Sequence, residues 1–151
     1  MRYMWRRIFR TAALAFMLCL TGLVLSGEAQ AQRFVDNRNG TVTDTQTGLM
    51  WTKNANPIGI LSWVDAMSRC SSFSISGIGG WRLPSRNELV DMYHAIQGEH
   101  PFTGVQSSNY WSSTTFPGCA DHAWSVYMYY GFEYYSVTPF TGHVWPVRAG
   151  Q

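Results

Sequence analysis

The histidines and serines of this 151-residue chain are the first side chains to consider for catalysis. The four histidines are spread along the sequence, at His94, His100, His122 and His143. No two of them have the i, i+4 spacing by which a helix binds zinc. Asp121-His122 could act with Ser112 or Ser113 as a hydrolase set, but no G-x-S-x-G nucleophile turn is present. We therefore expect no enzyme activity, no catalytic residues, no metal site and no cofactor.

A run of tyrosines near the C-terminus is the strongest indication of a binding surface. Five tyrosines crowd two predicted adjacent strands, and one strand face cannot bury all of them. Tyrosine is common at interfaces because it combines a large rigid ring with a polar tip. The alternatives are a stacking platform for a glycan, an oligomer contact, or a half-buried sheet that happens to be aromatic. The predicted ligand-binding residues are Tyr127, Tyr129, Tyr130, Tyr134, Tyr135 and Trp111.

Other aromatic and charged residues are better explained by structure than by binding. Trp51, Trp81 and Trp111 could stack on sugars, but their size favours anchoring the core. Arg82 and Glu88 are separated by a predicted turn and a helix start. We expect these two residues to form an internal ion pair, rather than to contact a ligand.

The N-terminal segment has the pattern of a secretory signal peptide. Four arginines precede an apolar stretch over residues 12–25, and Ala29-Gln30-Ala31 follows as a cleavage site. The alternative is a retained anchor, but the apolar run is shorter than the roughly 20 residues of a membrane span. We expect a signal peptide over residues 1–31 and one exported domain over residues 32–151. Its destination would be the periplasm or the extracellular space, with no membrane span after cleavage.

Removal of that segment changes the charge balance and therefore the expected partners. Residues 32–151 contain seven Lys and Arg against eight Asp and Glu, a net charge of −1. No window of this part contains a basic run. Nucleic-acid binding depends on neutralising phosphates, so we expect no nucleic-acid partner.

Removal of that segment also leaves two cysteines, Cys70 and Cys119. An even pair in an oxidising compartment predicts a structural disulfide between them. The alternative is a reactive thiol pair, but these cysteines lack the C-x-x-C spacing of redox motifs.

The elements expected to position these side chains are short strands and two helices. Asn39-Gly40 predicts a two-residue hairpin turn with positive φ at both residues. Capping boxes that begin at Ser62 and Ser85 predict helices reaching about Cys70 and Gly98. The fold class is α+β: a single domain of antiparallel strands with two short helices and long loops. The strands are expected at 34–44, as a hairpin, and at 49–51, 109–114, 122–129, 132–137 and 143–148.

Three phrases of this sequence are distinctive together: FVDNRNGTVTDTQTGLMW at 34–51, GGWRLPSRNEL at 79–89 and YWSST at 110–114. In this order they resemble the C-terminal domain family of the Legionella collagen-like adhesin, from about residue 33 to residue 149. One departure is Val144-Trp145-Pro146-Val147-Arg148, in place of the family's doubled Val-x-Val-Arg ending. The resemblance implies a C-type-lectin-like fold, in which the N- and C-terminal strands pair and long loops project from one side.

The resemblance also implies a binding function. The founding adhesin domain binds sulfated glycosaminoglycans as a trimer, whereas the seven cations here are widely scattered. We expect a lectin-like binding module whose partner is a glycan or a cell-surface protein, with self-association as a further expectation. A second hypothesis is a structural or protein-interaction domain without sugar binding. A third is a degenerate enzyme similar to sulfatase-modifying factors, whose Arg-Leu-Pro segment Trp81–Ser85 resembles.

Overall fold

Two sheets and two helices position the residues discussed above. The structure, a computed structural model, describes residues 32–138 and 140–150, so the predicted signal peptide lies outside the described residues. The α+β class predicted from the sequence is confirmed. The helices are α1 (Trp63–Ser72) and α2 (Arg86–Ala95). The strands are β1 (Phe34–Asp36), β2 (Thr41–Asp44), β3 (Leu49–Thr52), β4 (Ile60–Ser62), β5 (Asn109–Phe116), β6 (Cys119–Tyr127), β7 (Phe132–Val137), β8 (Thr141–His143) and β9 (Val147–Ala149).

The first sheet joins the two ends of the described chain. Its order is β1-β2-β3-β9, with every pair antiparallel. Trp51 of β3 lies opposite Val147 of β9. The N-terminal strands and the C-terminal strand therefore share one sheet, in which β3 rather than β1 pairs with β9. The C-type-lectin-like fold that the family resemblance implies stays a prediction.

The predicted two-residue turn between β1 and β2 is wrong by one residue. The Asn37 N–H donates to the Thr41 carbonyl oxygen at 3.0 Å, so the loop contains residues 38–40. Positive φ angles occur at Arg38 (58°) and Gly40 (85°), and not at Asn39. Asn39 instead uses its side-chain oxygen to accept the Thr41 N–H at 3.1 Å. This local side-chain bond makes the longer loop favourable.

The second sheet has the order β4-β8-β5-β6-β7, and it differs from the prediction in three ways, the first of which is that β4 was not expected. β5 and β8 are parallel where Tyr110 meets His143, so the expectation of antiparallel strands alone is wrong at this contact. The strand predicted at 143–148 is two strands, β8 and β9, which belong to different sheets. The buried residues 144–146 cross from one sheet to the other.

Both helices begin at the predicted serines. Ser62 accepts the Asp65 N–H at 3.3 Å, and Ser85 accepts the Glu88 N–H at 3.2 Å. Glu88 completes the capping box because its carboxylate accepts the Ser85 N–H at 2.7 Å. Neither helix of the described residues combines the length and the apolar character that crossing a bilayer requires.

The two helices pack on opposite faces of the second sheet because strand side chains alternate. On one face, Tyr110 and Val126 belong to the same core cluster as Leu89 and Met92 of α2. On the other face, Trp111 joins a cluster with Ala66 and Cys70 of α1, Leu83, Ala123 and Val144. We refer to these as the α2 face and the α1 face.

The three motif tryptophans are core residues, as their size predicts. Trp51, Trp81 and Trp111 are only 1%, 2% and 2% exposed. The indole N–H of Trp111 donates to the Leu61 carbonyl oxygen at 3.0 Å. Trp111 is therefore in the core, where it cannot contact a ligand at the surface.

The predicted disulfide is wrong, because both cysteines are free thiols in the structure. Cys70 is buried on the inner face of α1, whereas Cys119 is exposed at the start of β6. Burial raises the pKa of the Cys70 thiol to about 12, so this thiol stays protonated and unreactive. The even cysteine count did not predict this, since it carries no information on which face of a helix a cysteine occupies.

Candidate functional site

The five predicted tyrosines lie in the β6–β7 hairpin, but they do not share one surface. In the register of this hairpin, Tyr134 lies opposite Ser125 and Tyr135 lies opposite Trp124. Strand alternation therefore places Tyr134 on the α1 face and Tyr135 on the α2 face. Tyr127 is half-buried, and the four exposed tyrosines are Tyr129 (57%), Tyr130 (58%), Tyr134 (47%) and Tyr135 (53%).

A groove of about 320 Å³ lies where β5, β6 and β7 run side by side. Its volume is at the lower end of the range for small-ligand sites, about 300–1,000 Å³. Its polar centre is Asn109, whose side-chain Oδ1 is buried without a hydrogen-bond partner among the described residues. We call it the tyrosine groove, and it is lined by Asn109, Tyr127, Tyr134, Tyr135 and Ser136.

Aromatic rings continue from the tyrosine groove to the tip of the hairpin. Tyr130 lies 6.1 Å from Tyr127 and stacks on Phe132 at 5.6 Å between ring centroids. Tyr129 meets Tyr130 edge to face at 4.4 Å. Phe132 is 58% exposed, and it is one of three site residues that sequence reasoning missed; the others are Asn109 and Ser136. The register of β5, β6 and β7 brings these residues to the tyrosines, and the Tyr-rich composition was the one sequence signal for the site.

A glycine fixes where this hairpin tip lies against the body of the domain. Gly131 has a φ of 73°, which favours glycine over residues with a side chain. A Cβ at this position would overlap the ring of Tyr93 on α2. The turn can therefore approach α2 closely only with glycine, and this approach sets the position of Tyr129 and Tyr130.

The opposite side of the same hairpin is occupied by contacts within the domain. The Arg86 guanidinium lies 3.7 Å from the centroid of the Trp124 ring and forms an ion pair with Glu133. The Tyr135 ring stacks on Phe116 at 4.2 Å and meets Trp124 at 5.5 Å. Tyr135 thus borders the tyrosine groove while its ring packs on the α2 face.

Sequence comparison identifies the family. The sequence model of the Lcl C-terminal domain matches residues 40–148, more than half of the chain. The chain belongs to the Lcl C-terminal domain family. This family is associated with adhesins, is not a known enzyme family, and suggests an exported protein. No curated protein matches this chain.

Most cations of this Lcl C-terminal domain are engaged in ion pairs. The predicted Arg82–Glu88 pair is confirmed, with two N–O distances of 2.8 Å. Four of the seven Lys and Arg in the domain make such pairs: Arg33 with Asp44 and Asp91, Lys53 with Asp36, Arg82 with Glu88, and Arg86 with Glu133.

The side chains considered for hydrolysis have structural partners in this Lcl C-terminal domain. The Ser112 hydroxyl is buried and donates to the Trp124 carbonyl oxygen at 2.8 Å. The Ser113 hydroxyl donates to the Pro84 carbonyl oxygen at 3.3 Å. His122 is hydrogen-bonded to its neighbour Asp121 at 2.9 Å. Each serine hydroxyl therefore donates a hydrogen bond to a backbone carbonyl oxygen. The hydroxyl would have to give up this bond to act as a nucleophile.

Proposed function

We propose that this chain is an exported, adhesin-type binding module that recognises a glycan at the tyrosine groove. The observation that carries the proposal is the Asn109 amide, which has an unpartnered acceptor among exposed tyrosine rings. A pyranose offers an apolar C–H face and a rim of hydroxyl groups. The ring of Tyr134 can cover the apolar face, and a hydroxyl can donate to Asn109 after a small rotation of the amide.

The charges favour a neutral glycan over a sulfated one. A sulfated chain needs converging cations, and four of the seven in this domain are ion-paired elsewhere. The residues that line the tyrosine groove are an asparagine, three tyrosines and a serine, none of which is cationic. Binding to a neutral glycan would change little between low and high salt, since screening acts on charges.

Export to the periplasm or the extracellular space is part of the same proposal. It is supported by the basic and apolar N-terminal pattern followed by Ala29-Gln30-Ala31, and by the association of the family with adhesins. A glycan-binding surface is useful in these compartments, where polysaccharides are abundant.

The test is a glycan and glycosaminoglycan screen on the purified protein, at two salt concentrations and with or without calcium. We expect binding of a neutral polysaccharide that Tyr134→Ala weakens about tenfold or more. The matched control is Tyr129→Ala, because Tyr129 is similarly exposed but lies at the tip of the hairpin, outside the lining of the tyrosine groove. Equal losses in both variants would contradict a site in the tyrosine groove.

A protein partner is the second candidate function, and the position of β7 supports it. β7 is the last strand of its sheet, so one of its edges is unpaired within the described residues. Its sequence, FEYYSV, has no lysine or proline of the kind that blocks strand addition at an edge. A blank glycan screen together with capture of a defined surface protein, lost when Ser136 is replaced by proline, would favour this alternative.

A further inference from the structure

Three side chains of metal-binding type, none of which lines the tyrosine groove, converge at the start of β6. The Sγ of Cys119, a carboxylate oxygen of Asp121 and a ring nitrogen of His122 all lie within 4.8 Å of one another. Cys119 and Asp121 are exposed, and His122 is half-buried. We propose that these three residues bind a divalent ion of the zinc class.

A bulge in the β5–β6 hairpin brings the three side chains together. In a regular strand, neighbours such as Asp121 and His122 point to opposite faces. Here Thr115 pairs with Ala123 while the next residue, Phe116, pairs with Cys119. Residues 120–122 are therefore extra residues on the β6 side. Bulges of this kind redirect side chains and are frequent next to functional sites.

Two hydrogen bonds define the geometry of the bulge. The Asp121 carbonyl oxygen accepts the Thr138 N–H at 2.7 Å, which ties the bulge to the end of β7. The Asp121 Oδ1 lies 2.9 Å from the His122 Nδ1. The carboxylate oxygen and this ring nitrogen therefore already face each other, so one ion can bind His122 through Nδ1 and Asp121 through a carboxylate oxygen once it replaces the hydrogen bond and the proton is released.

The donor set is that of zinc rather than of calcium or magnesium. Zinc binds thiolate at about 2.3 Å and imidazole or carboxylate at about 2.0–2.2 Å, so its tetrahedral ligands lie about 3.3–3.7 Å apart. Donor atoms separated by the full 4.8 Å would have to approach each other by roughly 1 Å to reach this spacing. Rotation of the exposed side chains can supply this movement. A thiolate ligand disfavours hard cations, which take oxygen donors. Three protein ligands leave the fourth position open to water or to another ligand.

The free state of Cys119 makes this thiol available as a ligand. Its expected partner, Cys70, is buried in the cluster between α1 and the second sheet. One side of the site is walled by aromatic rings, since the His122 ring lies 6.1 Å from that of Tyr135, which stacks on Phe116. This apolar wall limits the access of water to the imidazole and thereby strengthens its interaction with the ion.

The experiment is titration of the tag-free, purified protein with Co²⁺ alone and with Zn²⁺ alone, after its free thiols have been counted. We expect one ion per chain and a thiolate-to-cobalt charge-transfer band. Cys119→Ser and His122→Gln should each weaken binding about tenfold or more. The matched controls are Cys70→Ala and His94→Gln, which remove the same side-chain types elsewhere and should bind as the natural protein does. Circular dichroism verifies that each variant is folded.

Three results would overturn the site. One is a protein with a free Cys119 thiol that takes up neither ion. Another is binding that survives Cys119→Ser unchanged. The third is a Cys70–Cys119 disulfide in the exported protein, seen by mass spectrometry, because it would remove the thiolate. None of these results bears on glycan binding, since the tyrosine groove is lined by other residues.

Discussion

The core tryptophans and the tyrosines of the β6–β7 hairpin occupy opposite environments. Trp81, Trp111 and Trp145 are buried, and each indole N–H donates to a backbone carbonyl oxygen at 2.8–3.0 Å. Four of the five tyrosines of the β6–β7 hairpin are 47–58% exposed, and Tyr127 is half-buried. A buried indole has its ring packed in the core and its N–H bonded to the backbone, so neither can contact a ligand. An exposed phenol has both its ring face and its hydroxyl available for a ligand. Aromatic content alone therefore does not identify the site; the position of each ring does.

The largest expected effect is that of removing a core tryptophan. Trp111→Ala leaves a cavity between α1 and the second sheet and should lower the free energy of unfolding by about 3–5 kcal/mol. Chemical denaturation measures this loss. Tyr134→Ala is the comparison variant on the same face, and it should change the free energy of unfolding by less than about 0.5 kcal/mol. A similar loss in both variants would break the distinction between core and surface aromatics.

A second large effect is expected at Asp44, the most buried carboxylate among the ion pairs. Its two oxygens accept from the Arg33 guanidinium at 3.1 and 2.8 Å, and the Gln46 N–H donates to Oδ1 at 3.0 Å. Asp44→Ala leaves these donors without their partner and should lower the free energy of unfolding by about 2–3 kcal/mol. Asp36→Ala is the control at the less buried ion pair with Lys53, and it should lower the free energy of unfolding by less than Asp44→Ala does. Denaturation midpoints that rank the two variants the other way would contradict this assignment.

A smaller effect, which depends on pH, is expected at Glu88. Burial alone would raise the pKa of this carboxyl, but hydrogen bonds from Arg82 and Ser85 outweigh it and lower the pKa below its ordinary value. The stability that results is present above the unfolded pKa, and it is lost as the pH falls through the lower, folded pKa. Glu88→Gln should lower the free energy of unfolding by about 1 kcal/mol at neutral pH. Thermal melts should be recorded between about pH 3 and pH 7, a range that includes the ordinary pKa of a glutamate. The melting temperature of the variant should depend less on pH than that of the natural protein.

The smallest expected effect is that of a reductant on thermal stability. Because Cys70 and Cys119 are free thiols, adding dithiothreitol should leave the melting temperature unchanged. A disulfide between Cys70 and Cys119 would close a loop of about 50 residues and contribute roughly 4 kcal/mol to the free energy of unfolding, so its reduction would be easy to detect. A clear drop on reduction would restore the disulfide and contradict the proposed metal site at Cys119.

Much of the local structure could be predicted from short patterns in the sequence. Ser85 and Glu88 indicate the start of α2 because a capping box acts within one helical turn. The alternation from His122 to Tyr129 indicates β6 because side chains of a strand repeat every two residues. The turn at residues 38–40 was mispredicted since a side-chain hydrogen bond of Asn39 favours a longer loop.

The candidate site was predictable only in part. The five tyrosines marked the β6–β7 hairpin correctly, but their composition could not assign Tyr134 and Tyr135 to opposite faces. Asn109 was missed because it is far from these tyrosines along the chain and meets Tyr127 only through the register of β5 and β6. Trp111 was expected at the ligand, and it lies instead in the core.

The sequence by itself determined most of the helices and strands of this protein, its family and its low content of charged residues. Capping, alternation and motif order act over short stretches of chain, which is why they can be recognised without the fold. Only the tertiary structure decided which aromatic rings are exposed and which cysteine is buried. It also decided that residues 119, 121 and 122 converge. These outcomes depend on strand register and on a bulge, where a shift of one residue reverses the face on which a side chain lies.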